Sequence, residues 1–203
     1  MIKVIALIGE AGTGKDYLLK HVMNKYCDIF HEIISVTTRP KREGEEDGVN
    51  YHFLPKEEFE FLIQNNKMLE YTEFRGWYYG TCIYDLSEKK VNIGVFNPDG
   101  IRNLLKNNNI NLTVIRLVAF DKTRLIRQLE REHSPDVDEI VRRYLTDKQD
   151  FQDLEFNYLL LTNEYKFNLE DNVAVIGSLA RKEDDKIYTN PWGNIFFVDK
   201  PDK

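Results

Sequence analysis

The chain has 203 residues, of which 42% are hydrophobic and 12% aromatic, which is enough for one packed domain with a small inserted lobe. Its net charge of −6 argues against a nucleic-acid polymer as partner, because polyphosphate backbones require a basic face. The chain has only two cysteines, and no apolar run approaches the roughly 18 residues of a membrane span. No leader-like segment is apparent at the start, so we expect a soluble, cytoplasmic protein.

The first element is an apolar run over Val4–Ile8, which leads into a glycine-rich loop and a helix-like stretch over Asp16–Tyr26. The loop reads Gly9-Glu10-Ala11-Gly12-Thr13-Gly14-Lys15-Asp16. Glycines let backbone N–H groups surround phosphate oxygens, and the helix N-terminus and Lys15 add positive charge. The pattern predicts a phosphate-binding loop. A plain glycine-rich turn is the alternative, since the motif requires Ser or Thr where this chain has Asp16.

Four more apolar runs without alternation follow, at Ile33–Val36, Val91–Phe96, Leu112–Ala119 and Tyr158–Leu161. Such runs are typical of strands buried on both faces of a parallel sheet. Helix-like segments accompany them at Lys56–Asn66, Pro98–Asn107, Lys122–Glu132, Asp136–Asp150 and Tyr165–Leu179. The alternation predicts an α/β fold with a five-stranded parallel sheet flanked by helices.

Two regions interrupt this alternation. Residues 37–90 are polar and aromatic and predict an inserted lobe, whereas residues 121–147 are rich in Arg and Glu and predict a mobile helical lid. In residues 181–203, a C-terminal extension, the segments Lys186–Thr189 and Ile195–Val198 predict a β-hairpin. The core then consists of residues 1–36, 91–120 and 148–180.

A second candidate site is the segment Ser35–Phe53. Its basic residues Arg39, Lys41 and Arg42 lie within four positions, and hydroxyl groups flank them at Ser35, Thr37, Thr38 and Tyr51. Arginine forks bind phosphate in a bidentate manner, and hydroxyl groups complete such a site. Four acidic residues follow closely, so composition alone fits a solvated charged loop equally well.

This segment resembles the GMP-binding signature of guanylate kinases, nearly residue for residue over nineteen positions. The resemblance continues through Leu69–Phe74 and Tyr78–Thr81 and, more loosely, through the arginine-bearing helices, so that it covers roughly residues 3–180. It implies a P-loop NTPase-type fold with a nucleoside-monophosphate (NMP) lobe and a lid. It also implies ATP-dependent phosphorylation of GMP or dGMP with Mg²⁺. The lack of a long apolar run predicts no membrane partner, and the oligomeric state stays open.

The resemblance implies a role for each site residue. The donor ATP would be held by Gly9, Glu10, Ala11, Gly12, Thr13, Gly14, Lys15 and Asp16, with Asn163 near adenine. The acceptor phosphate would be held by Ser35, Arg39, Arg42, Tyr51 and Tyr79. The base would meet Glu70, Thr81 and Asn97. The catalytic residues would be Lys15, Arg127, Arg131 and Arg143, with the three arginines covering the transferred phosphoryl group.

The chain departs from this family where an Asp-x-Asp pair is expected, since these positions hold Val95 and Asn97. An amide offers one acceptor and one donor, so Asn97 predicts altered base selectivity, toward dGMP, IMP or a pyrimidine, unless Asp99 compensates. Mg²⁺ binds carboxylate oxygens readily. Asp16 is therefore the candidate ligand that replaces the aspartate expected at the position of Val95. The alternative for Asp16 is a plain helix cap.

A function of another class stays open beside the kinase. Guanylate-kinase-like domains without catalysis use the acceptor-phosphate site to bind a phosphorylated partner, and such domains usually lose the glycine loop. This chain keeps the loop, Lys15 and the arginines of the lid region, which favours the enzyme.

Overall fold

The computed structural model describes residues 1–42, 44–74, 76–131, 133–163 and 169–181, together with the backbone of 196–197. The strands are β1 (Ile2–Ile8), β2 (Phe30–Glu32), β3 (Val36–Thr37), β4 (His52–Phe53), β5 (Met68–Phe74), β6 (Trp77–Cys82), β7 (Val91–Val95), β8 (Ile110–Val118), β9 (Tyr158–Leu161) and β10 (Phe196–Phe197). The helices are α1 (Lys15–Tyr26), α2 (Lys56–Gln64), α3 (Pro98–Leu104), α4 (Asp121–Glu130), α5 (Val137–Asp150) and α6 (Leu169–Arg181). Within these ranges no helix is long and apolar enough to cross a bilayer.

The larger sheet has the strand order β10-β9-β8-β1-β7-β2. The five strands from β9 to β2 pair in parallel, and β10 adds to β9 in the antiparallel direction. The predicted five-stranded parallel sheet is therefore confirmed. Strand β1 lies between β8 and β7, so the loop that follows it opens at the carboxyl edge of the sheet, where parallel α/β folds bind ligands.

Both faces of β1 are buried, which explains why its sequence shows no alternation. Ile5 and Leu7 pack on one side against α1 and α6. On the opposite side the alternate residues pack against α3 and the chain that follows α5; they are Val4, Ala6 and Ile8. A strand covered on two sides by helices needs an apolar residue at every position.

The predicted core strand at Ile33–Val36 is wrong in its position. The core strand is β2, Phe30–Glu32, which pairs with β7, whereas Val36 already belongs to β3 of a second sheet. Between the two, the Ile34 amide donates to the Asp85 carboxylate at 2.7 Å, so the chain has left the core sheet. The apolar run spans the passage from one sheet to the other.

The second sheet has the order β4-β3-β6-β5 and packs against α2. Its centre is Phe59, which is fully buried and stacks on Tyr78 with a ring-centroid separation of 5.2 Å. This sheet occupies the region predicted as an inserted lobe. The bounds of lobe, core and lid stay predictions.

The predicted C-terminal hairpin lies almost wholly outside the described residues. The described part is Phe196–Phe197, whose backbone pairs with Leu159 and Tyr158 of β9. This pairing extends the larger sheet by one short strand.

Candidate active site

The glycine loop joins β1 to α1 in a conformation that requires glycine. Gly12 and Gly14 have φ angles of 81° and 87°, in the left-handed region that residues with a Cβ rarely adopt. A Cβ at Gly12 would also collide with the backbone carbonyl of Arg124. The ammonium group of Lys15 folds back over the loop and donates to the carbonyl oxygen of Gly9 at 2.6 Å and to that of Glu10 at 3.2 Å.

Burial and nearby carboxylates have opposite effects on the pKa of Lys15. Burial lowers the pKa of Lys15, while the carboxylates of Asp16, Asp147 and Glu10 act in the raising direction. Asp16 is exposed in the first turn of α1. At the end of β2, burial raises the pKa of Glu32, and the negative charge of Asp16 adds to this effect. Asp16 therefore shares the carboxyl edge of the sheet with a second carboxylate.

Arginines from outside the motif hold two residues of the loop. Arg116 on β8 forms an ion pair with Glu10 at 3.0 Å. Arg127 on α4 donates to the carbonyl oxygen of Gly12 at 3.3 Å and to that of Thr162 at 2.7 Å. Arg127 thus contacts the loop backbone itself. Arg116 was not among the predicted site residues, since nothing in its local sequence links it to Glu10.

The peptide groups around Ala11 are held from both sides by one ion pair. Asp147 on α5 accepts from the Ala11 N–H at 2.6 Å, and Arg124 on α4 donates to the Ala11 carbonyl oxygen at 3.0 Å. Arg124 also donates to Asp147 at 3.4 Å, and only 2% of Arg124 is exposed. Sequence reasoning missed both residues, because they lie 113 and 136 positions from Ala11.

The segment predicted to bind the acceptor phosphate folds around Arg39. The guanidinium lies 5.6 Å from the Tyr51 ring, and the rings of Tyr51 and Tyr79 are 6.1 Å apart. Arg39 donates to Glu45 at 2.7 Å, and the second oxygen of Glu45 accepts from the Arg42 N–H at 2.8 Å. The hydrogen bond from Arg39 is the main cause that lowers the pKa of Glu45. Glu45 therefore fixes the loop that carries both arginines.

Ser35 lies at the start of the same region. Its carbonyl oxygen accepts from the His52 N–H at 2.9 Å, so Ser35 and the beginning of β4 are neighbours. This pairing brings Ser35 to the side of Tyr51, the residue before His52. The structure thus brings four of the five predicted acceptor-phosphate residues into one neighbourhood.

Arg42, the fifth of them, lines a cavity of about 280 Å³ together with two arginines of the predicted lid, Arg131 and Arg143. The remaining lining residues are Gln128, Asp136, Glu139 and Ile140. Glu139 accepts from Arg143 at 2.8 Å and so orients its guanidinium. Residues more than 80 positions apart therefore meet around one space, which three arginines and two acidic residues line.

The predicted base site forms a second cluster. Glu70 on β5 is 7% exposed and accepts from the Thr81 hydroxyl at 2.9 Å. Burial raises the pKa of Glu70 to about 7, although the Thr81 hydrogen bond acts in the lowering direction. A Cβ at Gly100 would lie 3.0 Å from Glu70 Oε2 and 3.1 Å from Asn97 Oδ1, so both groups surround Gly100.

The oxygen of Asn97 has a structural partner. Asn97 Oδ1 accepts from the Gly100 N–H at 2.7 Å and caps α3, which begins at Pro98. The carboxylate of Asp99 accepts from Arg102 at 2.8 Å, and 66% of its side chain is exposed. Asp99 therefore pairs with its own helix at the surface.

Asn163, predicted to lie near adenine, is 4% exposed, and its side-chain oxygen accepts from the Phe120 N–H at 2.7 Å. That contact holds the start of α4. Its neighbour Thr162 donates to the carbonyl oxygen of Thr13 in the glycine loop at 2.8 Å. The end of β9 is thus fastened both to the loop and to α4.

A parallel sheet, a glycine loop after its central strand and a lysine that opens the next helix define an α/β protein of the P-loop class. A family model described as guanylate kinase matches residues 1–176, so the chain belongs to the guanylate kinase family.

Curated guanylate kinases match the chain in whole or in part. That of Campylobacter jejuni (strain RM1221) is 28% identical over 178 residues, 85% of this chain and 87% of that protein. That of Prochlorococcus marinus (strain MIT 9312) is 44% identical over 87 residues, 43% of this chain and 47% of that protein. That of Bacillus anthracis is 48% identical over 91 residues, 45% of this chain and 44% of that protein. The last two matches span less than half of those relatives.

Among solved structures, the crystal structure of guanylate kinase from Anaplasma phagocytophilum aligns with a TM-score of 0.63 and 20% identity. The alignment covers 92% of this chain and 88% of that one. At this identity the likeness establishes the fold.

Proposed function

We propose that this chain transfers the terminal phosphoryl group of ATP to a nucleoside monophosphate, with GMP or dGMP as acceptor. The observation that carries the proposal is the cavity in which Arg42 meets Arg131 and Arg143. Arg42 belongs to the acceptor segment, and the other two arginines belong to the predicted lid. Three guanidinium groups around one space suit a phosphoryl group that passes between two anionic substrates.

The reaction requires two anions in line and positive charge around the group that moves. The bond from the terminal phosphorus of ATP to ADP breaks while a bond to an oxygen of the acceptor phosphate forms, giving ADP and a nucleoside diphosphate. Loop amides and Lys15 would hold the donor, and Arg39, Tyr51 and Tyr79 would hold the acceptor. The remaining work is orientation and charge stabilisation, for which no protein nucleophile is needed.

A magnesium ion on ATP would be held by Asp16. Its carboxylate is exposed in the first turn of α1, directly after Lys15, and carboxylate and phosphate oxygens are the ligands that Mg²⁺ takes. The ion would neutralise charge on the donor phosphates. Asp16→Ala, which leaves no oxygen at this position, should therefore raise the Mg²⁺ concentration needed for half-maximal turnover; unchanged Mg²⁺ dependence would contradict this role.

Altered base selectivity is the finer part of the proposal. Asn97 uses its oxygen to cap α3, which leaves an amide donor as the group that Asn97 can offer to a base. Guanine presents N–H donors on its Watson–Crick edge, and Glu70 is the acceptor for them. A donor opposite the guanine amino group weakens the discrimination between GMP and IMP, because IMP lacks that group.

A coupled assay with ATP and a panel of GMP, dGMP, IMP and dTMP tests the proposal. We expect turnover with GMP or dGMP, and loss of nearly all activity in Lys15→Ala. Lys20→Ala, an exposed lysine on the same helix, serves as the matched control and should be fully active. No turnover with any acceptor, combined with phosphopeptide binding that ignores Lys15→Ala, would establish a binding module instead.

A further inference from the structure

The ion pair of Arg124 and Asp147 is anchored on a single residue of the glycine loop. Asp147 Oδ2 accepts from both the Ala11 N–H and Arg124 Nη2, at 2.6 and 3.4 Å. Arg124 Nε in turn donates to the Ala11 carbonyl oxygen at 3.0 Å. The donor and the acceptor of Ala11 are thus both occupied by the two halves of one ion pair.

The partners of this pair come from α4 and α5, whereas Ala11 follows β1. Arg124 is 2% exposed and lies over the Tyr144 ring at 5.4 Å, so its guanidinium has a fixed place. The backbone of Arg124 also packs against Gly12, where any Cβ would collide with it. The loop therefore rests on α4 through backbone as well as side-chain contacts.

We propose that Arg124 and Asp147 are positioning residues that hold the glycine loop in its phosphate-binding shape by clamping Ala11. Gly12 and Gly14, which follow Ala11, have left-handed φ angles and no Cβ to restrict them. A fixed peptide at Ala11 restricts the start of this flexible stretch and so directs the following N–H groups toward one point. The donor-nucleotide part of this inference rests on the proposed function.

The competing explanation is a structural ion pair that only joins α4 to α5. Replacing a buried ion pair by apolar side chains of similar size is often neutral for stability, whereas removing one partner is strongly destabilising. The double variant Arg124→Met with Asp147→Leu therefore separates the two explanations. It removes the clamp, leaves the net charge unchanged and keeps the space between the helices filled.

The first measurement is hydrogen exchange of the Ala11, Gly12 and Gly14 amides by NMR in the nucleotide-free chain. The second is the dissociation constant of AMP-PNP with Mg²⁺. For the double variant we expect thermal stability near that of the wild type, faster exchange of the loop amides and about tenfold weaker AMP-PNP binding. Asp147→Asn keeps one oxygen that can accept both hydrogen bonds, so it should retain the affinity within about threefold.

Lys148→Gln is the matched control, because Lys148 joins α5 to Asp121 of α4 at 3.2 Å without touching the loop. It should leave exchange and affinity unchanged. A double variant with wild-type exchange and wild-type affinity would overturn the clamp. If the wild type binds no AMP-PNP, the proposed function fails, and the exchange measurement alone still supports or overturns the clamp.

Discussion

Glu70 is a carboxylic acid that is almost completely buried. It is 7% exposed, and its described hydrogen bond comes from the Thr81 hydroxyl at 2.9 Å. Burial disfavours the carboxylate and raises the pKa of Glu70 to about 7. A ligand that brings N–H donors stabilises the carboxylate and lowers this pKa again. A base with adjacent N–H groups, such as guanine, fits this requirement.

Glu70→Gln should remove a pH-dependent loss of stability. Between pH 4.5 and about 7 the folded chain keeps the proton on Glu70 while the unfolded chain loses it, so the free energy of unfolding falls as pH rises. A shift of this size corresponds to a fall of about 3 kcal/mol, fully developed above the folded-state pKa. Urea unfolding of wild type and variant from pH 4.5 to 8 measures the difference in slope.

Glu73→Gln is the control for this experiment, since Glu73 lies on the same strand but is exposed. It should leave the slope as in the wild type. Parallel stability curves for wild type and Glu70→Gln would show that folding does not raise the pKa of Glu70.

At the scale of elements, the cap of helix α3 lies at one residue of the predicted base site. Asn97 accepts from the Gly100 N–H, and Pro98 occupies the first helical position, where no N–H is needed. Aspartate caps helices as well as asparagine does. The position can therefore change between amide and carboxylate without loss of the helix, although the chemistry that it offers to a base differs.

Asn97→Asp should sharpen the preference for GMP over IMP. The carboxylate keeps one oxygen on Gly100 and adds a second acceptor for the guanine amino group, so the ratio of kcat/KM for GMP to that for IMP should rise about tenfold. Asn97→Ala, which loses the cap, should lower the free energy of unfolding by about 1 kcal/mol. An unchanged ratio in Asn97→Asp would mean that residue 97 does not face the base.

The elements differ in how well the sequence predicts them. Tyr158–Leu161 has the predicted bounds, and Pro98 opens the helix that it predicts. The run Ile33–Val36 gives a wrong strand position, because it begins just after β2 of the larger sheet and ends at Val36, the first residue of β3 in the second sheet. Strand β2 itself contains His31 and Glu32, polar residues that an edge strand tolerates and that hide it from a search for apolar runs.

At the scale of the molecule, the motifs predict the parts of the candidate site better than the contacts between them. The residues that identify the glycine loop around Lys15 lie within a few positions of each other, as do those of the basic segment around Arg39, so a local motif predicts each of them. The contact of Asp147 with Ala11 spans 136 positions and leaves no periodic or local trace. The positions of the arginines in the predicted lid also depend on packing. Arg131 and Arg143 line the cavity with Arg42, whereas Arg127 contacts the glycine loop.

The cavity that Arg42, Arg131 and Arg143 line predicts cooperation between the two halves of the site. A linear polyphosphate that joins an adenosine to a guanosine would occupy the loop, the cavity and the acceptor site at once. We expect such a ligand to bind at least about 100-fold more tightly than AMP-PNP or GMP alone, because the second contact becomes intramolecular. Isothermal titration calorimetry measures all three affinities.

Arg131→Ala should weaken binding of the joined ligand about tenfold, since charge-assisted contacts to phosphate are lost, and should leave the affinity for GMP alone unchanged. Arg102→Ala is the control, because that arginine pairs with Asp99 at the surface and does not line the cavity. Rising salt should reduce the advantage of the joined ligand, since it depends on several charges meeting at one place. A joined ligand that binds no more tightly than the better single nucleotide would mean that the loop and the acceptor segment do not form one site.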